Sequence, residues 1–249
     1  MAQGHTILKL AIAIPVYDNP ESMFLQSLTS ALSFLYEANL TDDDGEPVKL
    51  QVETFVCSGV IQEARHRLFF EAMKWEADYI LWCDSDHIFP ADAIPRLWSH
   101  GKDIVGCNYA RRTMTGQPTA PTAAVLGRDT ADEKLCFTTQ EKAEAGLVEQ
   151  VDHMGLGLCL MRMSILERLT EHAEANGEES FMPLFHWLAK DAGNGSIGED
   201  VYFFQKCRAA GLDVWCDHGL SWEVGHITKR VLTHAHVERD RPRWKQEEG

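Results

Sequence analysis

Residues 79–87 read Tyr-Ile-Leu-Trp-Cys-Asp-Ser-Asp-His. A short apolar run with strand character stops abruptly at two aspartates one residue apart. In an extended chain residues i and i+2 point the same way, so Asp84 and Asp86 are expected to aim both carboxylates at one point. Converging carboxylates repel unless a positive charge lies between them, and a hard divalent cation serves best. Open α/β sheets bind ligands just beyond the carboxyl ends of their strands, where this pair would fall. The same pattern also caps helices, so its neighbours must decide.

Working outward, residues 8–16 (LKLAIAIPV) and 50–57 read as buried strands, 103–109 as a fourth strand, and 61–75 as a helix with Ala64, Leu68 and Ala72 on one face. Asn19-Pro20 is a helix start, followed by the apolar face Phe24, Leu28, Ala31 and Leu35. A short helix follows Pro90. This alternation predicts an α/β fold with a doubly wound, mostly parallel central sheet flanked by helices. Residues 111–150 break the rhythm and read as long loops with a β-hairpin. Residues 151–161 read as one glycine-interrupted strand, Ser164 to Glu167 as a capping box opening a helix, 198–210 as another helix, and 213–216 as a short strand. We expect one domain over residues 1–227, with a nucleotide-binding half (1–110) and a smaller acceptor-side half (111–227).

The chain has 249 residues, and its net charge of −15 argues against sequence-blind binding to nucleic acid or an anionic membrane. The acidity lies upstream of a basic tail, residues 228–249, which reads as a solvated terminus or a phosphate contact. Seven cysteines without a C-x-x-C pair suit a reduced, cytoplasmic inventory. No apolar stretch has the length of a membrane span. Neither a phosphate-binding P-loop nor a dinucleotide fingerprint is present.

Several motifs follow one another in order: Pro15-Val16-Tyr17-Asp18, Glu63-Ala64-Arg65, Asp84-Ser85-Asp86, Met154-Gly155-Leu156-Gly157, Gly198-Glu199-Asp200, then Gly211 through Trp215 and Asp217 into Gly225-His226. The series resembles the GT-A-fold glycosyltransferases over residues 7–227, and is most similar to small single-domain bacterial and phage-type members. The resemblance implies a transferase that moves a sugar from a UDP- or GDP-sugar to an acceptor hydroxyl.

It also implies roles for individual residues. Asp84 and Asp86 would hold a divalent metal, with His226 as a further ligand and His218 as the runner-up. A shell of carboxylate and imidazole suits Mn²⁺ better than Mg²⁺. Arg65 would pair with the diphosphate or with Asp84. Pro15, Tyr17, Asp18 and Ser85 would line the nucleotide site, and Gly155 and Gly157 would let backbone approach the donor sugar. Arg111 and Arg112 would face phosphate or acceptor. Asp200, with Glu199 next, would act as general base in an inverting enzyme or position the acceptor in a retaining one. His153, His186 and Trp187 would shape the acceptor pocket, whose occupant (a glycan, a small molecule or a modified nucleobase) is left open. His234 and His236 read as non-metal. Two other readings remain: a nucleotidyltransferase that makes the activated sugar, and a non-catalytic nucleotide-sugar binder.

Overall fold

The fold was analysed in a computed structural model that describes residues 6–112, 119–126, 133–189, 196–228 and 233–247. The first strand, β1 (Thr6–Val16), is buried from Leu10 onward, as a central strand covered on both faces should be. Helix α1 (Ser22–Glu37) begins two residues after Pro20 and has no side-chain cap. The N–H of Glu21 donates instead to the Ser85 carbonyl (3.0 Å), tying the helix start to the turn that carries the aspartates. Strands β2 (Leu40–Thr41) and β3 (Pro47–Ser58) precede helix α2 (Ile61–Lys74), which delivers Arg65. Strand β4 (Tyr79–Cys83) follows, then β5 (His87–Ile88) and α3 (Ala93–Ser99). Pro95 lies in the first turn of α3, where backbone N–H groups have no intrahelical partner to lose.

Beyond β6 (Ile104–Gly106) come the hairpin β7 (Ala124–Leu126) and β8 (Glu133–Leu135), helix α4 (Gln140–Glu144) and β9 (Val148–Val151). Then follow β10 (Leu158–Arg162), α5 (Ile165–Ala175), β11 (Leu188–Ala189) and β12 (Ser196–Ile197), and α6 (Glu199–Ala209). The last described elements are β13 (Val214–Asp217), α7 (His218–Glu223), β14 (Gly225–His226) and α8 (His234–Glu247).

The main sheet has the strand order β2-β3-β1-β4-β10-β6-β13-β9. Strands β3, β1 and β4 run parallel, as do β6 and β13, while β10 lies antiparallel between β4 and β6. Because β1 and β4 are parallel neighbours, Pro15 and Asp84 emerge at the same rim. Alternation along β4 divides the core: Trp82 packs with Leu68, Phe69, Phe203 and Phe204 on one face, and Leu81 with Phe24, Ile94 and Leu97 on the other. The fold is therefore α/β with a mostly parallel sheet between helical layers, as expected.

Three local expectations fail. Residues 151–161 are not one strand: β9 ends at Val151, β10 begins at Leu158, and the intervening loop takes its glycines to a tight approach described below. Ser164 makes no capping bond, because its own backbone is helical and the Glu167 N–H donates to its carbonyl rather than its hydroxyl. The fourth strand is only three residues long, since residues 107–110 leave the sheet and Tyr109 turns to line the site. The described part of the basic tail is helical, and its buried His234 and Val237 anchor it beside Ala110. No described helix is long and apolar enough to cross a membrane. None of the seven cysteines is paired, and six are buried.

Candidate functional site

The aspartates reach a common cavity by a turn, not by strand alternation. Strand β4 ends at Cys83, the Asp84 N–H donates to the Gly157 carbonyl (2.9 Å), and the His87 N–H donates back to the Asp84 carbonyl (3.2 Å). Asp84, Ser85 and Asp86 thus line a cavity of about 550 Å³ together with Pro15, Tyr17 and Asp18 from the end of β1. Arg65, Tyr109, Arg112, Glu199 and Asp200 complete its polar wall. A larger cleft of about 630 Å³ lies between the end of α1 and strands β2 and β3, but it gathers no comparable cluster of titratable groups.

Arg65 is 2% exposed and joins the two acidic motifs. Its Nη2 donates to Asp84 Oδ1 (2.9 Å) and its Nε to Glu199 Oε1 (3.4 Å), while the guanidinium lies 5.3 Å from the Trp82 ring centroid. Burial opposes the charge, but Asp84 and Glu199 outweigh it and hold the group protonated. Its Nη1 is buried without a partner. Removing the guanidinium would strand two carboxylates, at a cost of about 3–5 kcal/mol for a buried pair.

Glu199 is fully engaged, because its second oxygen accepts from Trp187 Nε1 (3.1 Å). Asp200 is different: the Val201 N–H donates to its Oδ1 (2.7 Å), a local bond. Burial first, and then the Glu199 charge, raise the Asp200 carboxyl above the ordinary range.

The other wall is built on the antiparallel pair β5–β14, in which His87 and His226 are directly opposite. Their rings stack at 4.5 Å with a 15° interplanar angle, and Tyr109 meets His87 edge-on at 4.3 Å. His226 Nδ1 donates to the Ala110 carbonyl (2.9 Å), since a carbonyl can only accept. In the neutral ring Nε2 is therefore an acceptor, and it lies 3.4 Å from Asp86 Oδ2. A carboxylate and an imidazole nitrogen so placed are satisfied by a proton on Nε2 or by a cation near the carboxylate. Here Arg112, exposed at the cavity mouth, contributes one through Nη2 at 2.7 Å from the same oxygen. Burial works against the Asp86 charge, but the His226 imidazole, as a hydrogen-bond donor, outweighs it and holds the carboxyl well below the usual range.

His87 is fully buried. Its Nδ1 is 3.2 Å from Asp86 Oδ1 but misaligned, so neither ring nitrogen has a hydrogen-bond partner. Burial lowers its pKa and keeps the ring neutral, the form that binds metals. Asp86, His87 and His226 each offer a donor atom within 4.8 Å of the others. The set of one carboxylate and two imidazoles, with both nitrogens of His87 orphaned, fits a divalent cation. Asp84 is not in that group; it lines the cavity and pairs with Arg65.

The expected residues Pro15, Tyr17, Asp18, Arg65, Asp84, Ser85, Asp86, Glu199 and Asp200 line one cavity, and His226 borders it through Asp86. Tyr17 is 91% exposed at its mouth. Gly155 and Gly157 are not lining residues. A Cβ on Gly155 would lie 2.0 Å from Tyr109 Oη, and one on Gly157 would lie 2.6 Å from the His87 ring. Their missing side chains make room for protein rings behind the site. His218 belongs elsewhere, bonded to Glu149 and Thr138. His234 donates to the Asn108 carbonyl. Sequence reading did not single out His87 or Tyr109; the signal for His87 was its place directly after Asp86.

No family model and no curated protein matches this chain at the level of sequence. Among solved structures, A197 from STIV is similar, with a TM-score of 0.52 and 18% identity over 92% of this chain and 91% of that one. Two more distant likenesses are GalNAc-T7 with UDP, GalNAc and Mn²⁺ (TM-score 0.49, 12% identity, 89% of this chain and 44% of that one) and a mutant Drosophila beta-1,4-galactosyltransferase 7. The latter, in complex with manganese, UDP-Gal and xylobiose, has a TM-score of 0.40 and 15% identity over 94% of this chain and 73% of that one. The chain has a GT-A-like fold.

Proposed function

We propose that the chain is a metal-dependent glycosyltransferase that moves a sugar from a nucleotide-diphosphate donor to an acceptor hydroxyl. The observation that carries this reading is the Asp86, His87 and His226 group, whose donor atoms lie within 4.8 Å of one another beside a cavity that Asp86 and Asp200 both line. Asp86 and His226 would hold the cation, with His87 behind them and Asp84 alongside, and Mn²⁺ suits this shell better than Mg²⁺. Bound there, the cation neutralises the diphosphate as a Lewis acid.

The remaining roles belong to the chain's own groups. Tyr17 and Asp18 meet the base and ribose at the mouth of the cavity. Arg112 is free to turn from Asp86 to phosphate oxygens, which a guanidinium pairs well. Arg65 keeps Asp84 and Glu199 in place. In an inverting reaction Asp200 takes the proton of the acceptor hydroxyl as its oxygen bonds the anomeric carbon and the bond to the diphosphate breaks. A raised carboxyl pKa makes Asp200 a stronger base near neutral pH than an ordinary aspartate. Trp187, half-exposed and held by Glu199, flanks the acceptor side.

The test is calorimetry with a panel of nucleotide-sugars, with and without Mn²⁺, alongside slow donor hydrolysis. Metal-dependent binding of one donor is expected. If no nucleotide-sugar binds, or if removing metal changes nothing, the reading fails.

A further inference from the structure

A second group of metal-binding side chains lies among residues the proposed transfer does not use. Cys136 follows β8, Glu149 is on the edge strand β9, and His218 opens α7. Cys136 Sγ is 3.6 Å from Glu149 Oε2 and 4.0 Å from His218 Nε2, and that Nε2 is 2.8 Å from the same Oε2. Zn–S bonds of about 2.3 Å and Zn–N or Zn–O bonds of about 2.0–2.2 Å place tetrahedral ligands roughly 3.3–3.6 Å apart. The three atoms already approximate that triangle, so side-chain adjustments of about half an ångström suffice.

The surroundings are those of a prepared site. Cys136 and His218 are buried. His218 Nδ1 is bonded to Thr138 Oγ1 (2.7 Å), and Asn108 Nδ2 donates to that hydroxyl (3.2 Å) and to the Cys136 carbonyl (2.7 Å). Such second contacts fix an imidazole with its other nitrogen aimed at a metal. The backbone is equally constrained: Glu149 pairs with Cys216 across β9–β13, and the His218 N–H donates to the Leu147 carbonyl (3.0 Å). Lys142 Nζ donates to Glu149 Oε2 from a partly exposed position. It supplies the positive charge when no ion is bound, and it has solvent to move into.

We propose that Cys136, Glu149 and His218 form a zinc site, with water as the fourth ligand, that pins β9 and the segment after β8 to the start of α7. Thiol, imidazole and carboxylate together select Zn²⁺ over a hard cation such as Mg²⁺ or Ca²⁺, which avoid sulfur. Burial, with Glu149 adding to it, pushes the Cys136 thiol up to about 12, so the metal-free site is protonated. Binding converts thiol to thiolate, releases one proton to solvent and frees Lys142. Asn108 links this cluster to the chain segment through Ala110, whose carbonyl orients His226. The site therefore braces the wall behind the cavity without touching its ligands.

The test uses the full chain, stripped with a chelator and titrated with Co²⁺ and then Zn²⁺. A thiolate-to-cobalt charge-transfer band in the near ultraviolet reports sulfur ligation, and Asp86 and His226 cannot produce it. The band should appear in the wild type and in Asp86→Ala, disappear in Cys136→Ser, and be displaced by Zn²⁺. Glu149→Gln, which keeps the shape of the side chain, should weaken zinc binding at least tenfold. A wild type lacking the band at saturating Co²⁺, a band retained in Cys136→Ser, or unchanged zinc affinity in Glu149→Gln overturns the proposal. Because Asp86→Ala removes only the cavity's cation, failure of this site is distinguishable from failure of the proposed transfer reaction.

Discussion

His226 Nε2 lies 3.4 Å from Asp86 Oδ2, while its Nδ1–H donates to the Ala110 carbonyl. The proposed metal role of this pair can be tested directly. His226→Ala should lower Mn²⁺ affinity by more than tenfold, read by calorimetry or by the manganese electron-spin resonance signal. His226→Gln should recover little, because an amide is a poor substitute for imidazole. Unchanged Mn²⁺ affinity in both variants removes His226 from the ligand set.

Asp200→Asn should leave donor binding near the wild-type level and reduce transfer by about 10²–10⁴-fold, the usual range for losing a general base. The sign of the pH dependence follows from the raised carboxyl pKa. The basic form prevails above that pKa, so kcat/KM should fall as pH drops through a value higher than that of an ordinary aspartate. For stability, the protonated form is favoured by the fold, and its contribution is lost as pH rises through the folded pKa. At neutral pH the variant should therefore melt higher than wild type, with 1 kcal/mol corresponding to roughly 2–4 °C at this size. A lower melting temperature would count against a strained, charged Asp200.

Arg65→Met should destabilise the fold by about 3–5 kcal/mol, because Asp84 and Glu199 are left without their shared cation. Urea denaturation measures this. The double variant Arg65→Met with Glu199→Gln should recover part of the loss, whereas strict additivity would show that the bridge is not shared.

Arg112→Ala should raise metal affinity in the absence of donor, since Arg112 competes for Asp86 Oδ2, and lower affinity for the donor. The first effect should be less than about fivefold, because the Arg112 end of the pair is largely solvent-exposed. Opposite signs in the two titrations distinguish a mobile phosphate contact from a fixed structural one.

Much of this site was legible because its chemistry sits at strand and helix ends. The apolar run 79–83 became β4 with the same bounds, and Arg65, Asp84, Glu199 and Asp200 line one cavity. The parts that were not legible depend on approach between distant segments. The β5–β14 pairing places His87 on His226, and no local pattern announces a two-residue strand. Gly155 and Gly157 read as donor contacts, but they accommodate Tyr109 and His87, rings that come from other segments. The turn at Ser85–Asp86 likewise replaced the strand alternation that first drew the two carboxylates together.

The central claim is tested most directly by measuring nucleotide-sugar binding to the metal-free wild type, the Mn²⁺-loaded wild type and Asp86→Ala. The account predicts tight binding of at least one donor with Mn²⁺, a loss of more than tenfold without it, and the same weak binding in Asp86→Ala whether or not Mn²⁺ is present. Equal donor affinity in all three samples, or no donor bound in any of them, would contradict it.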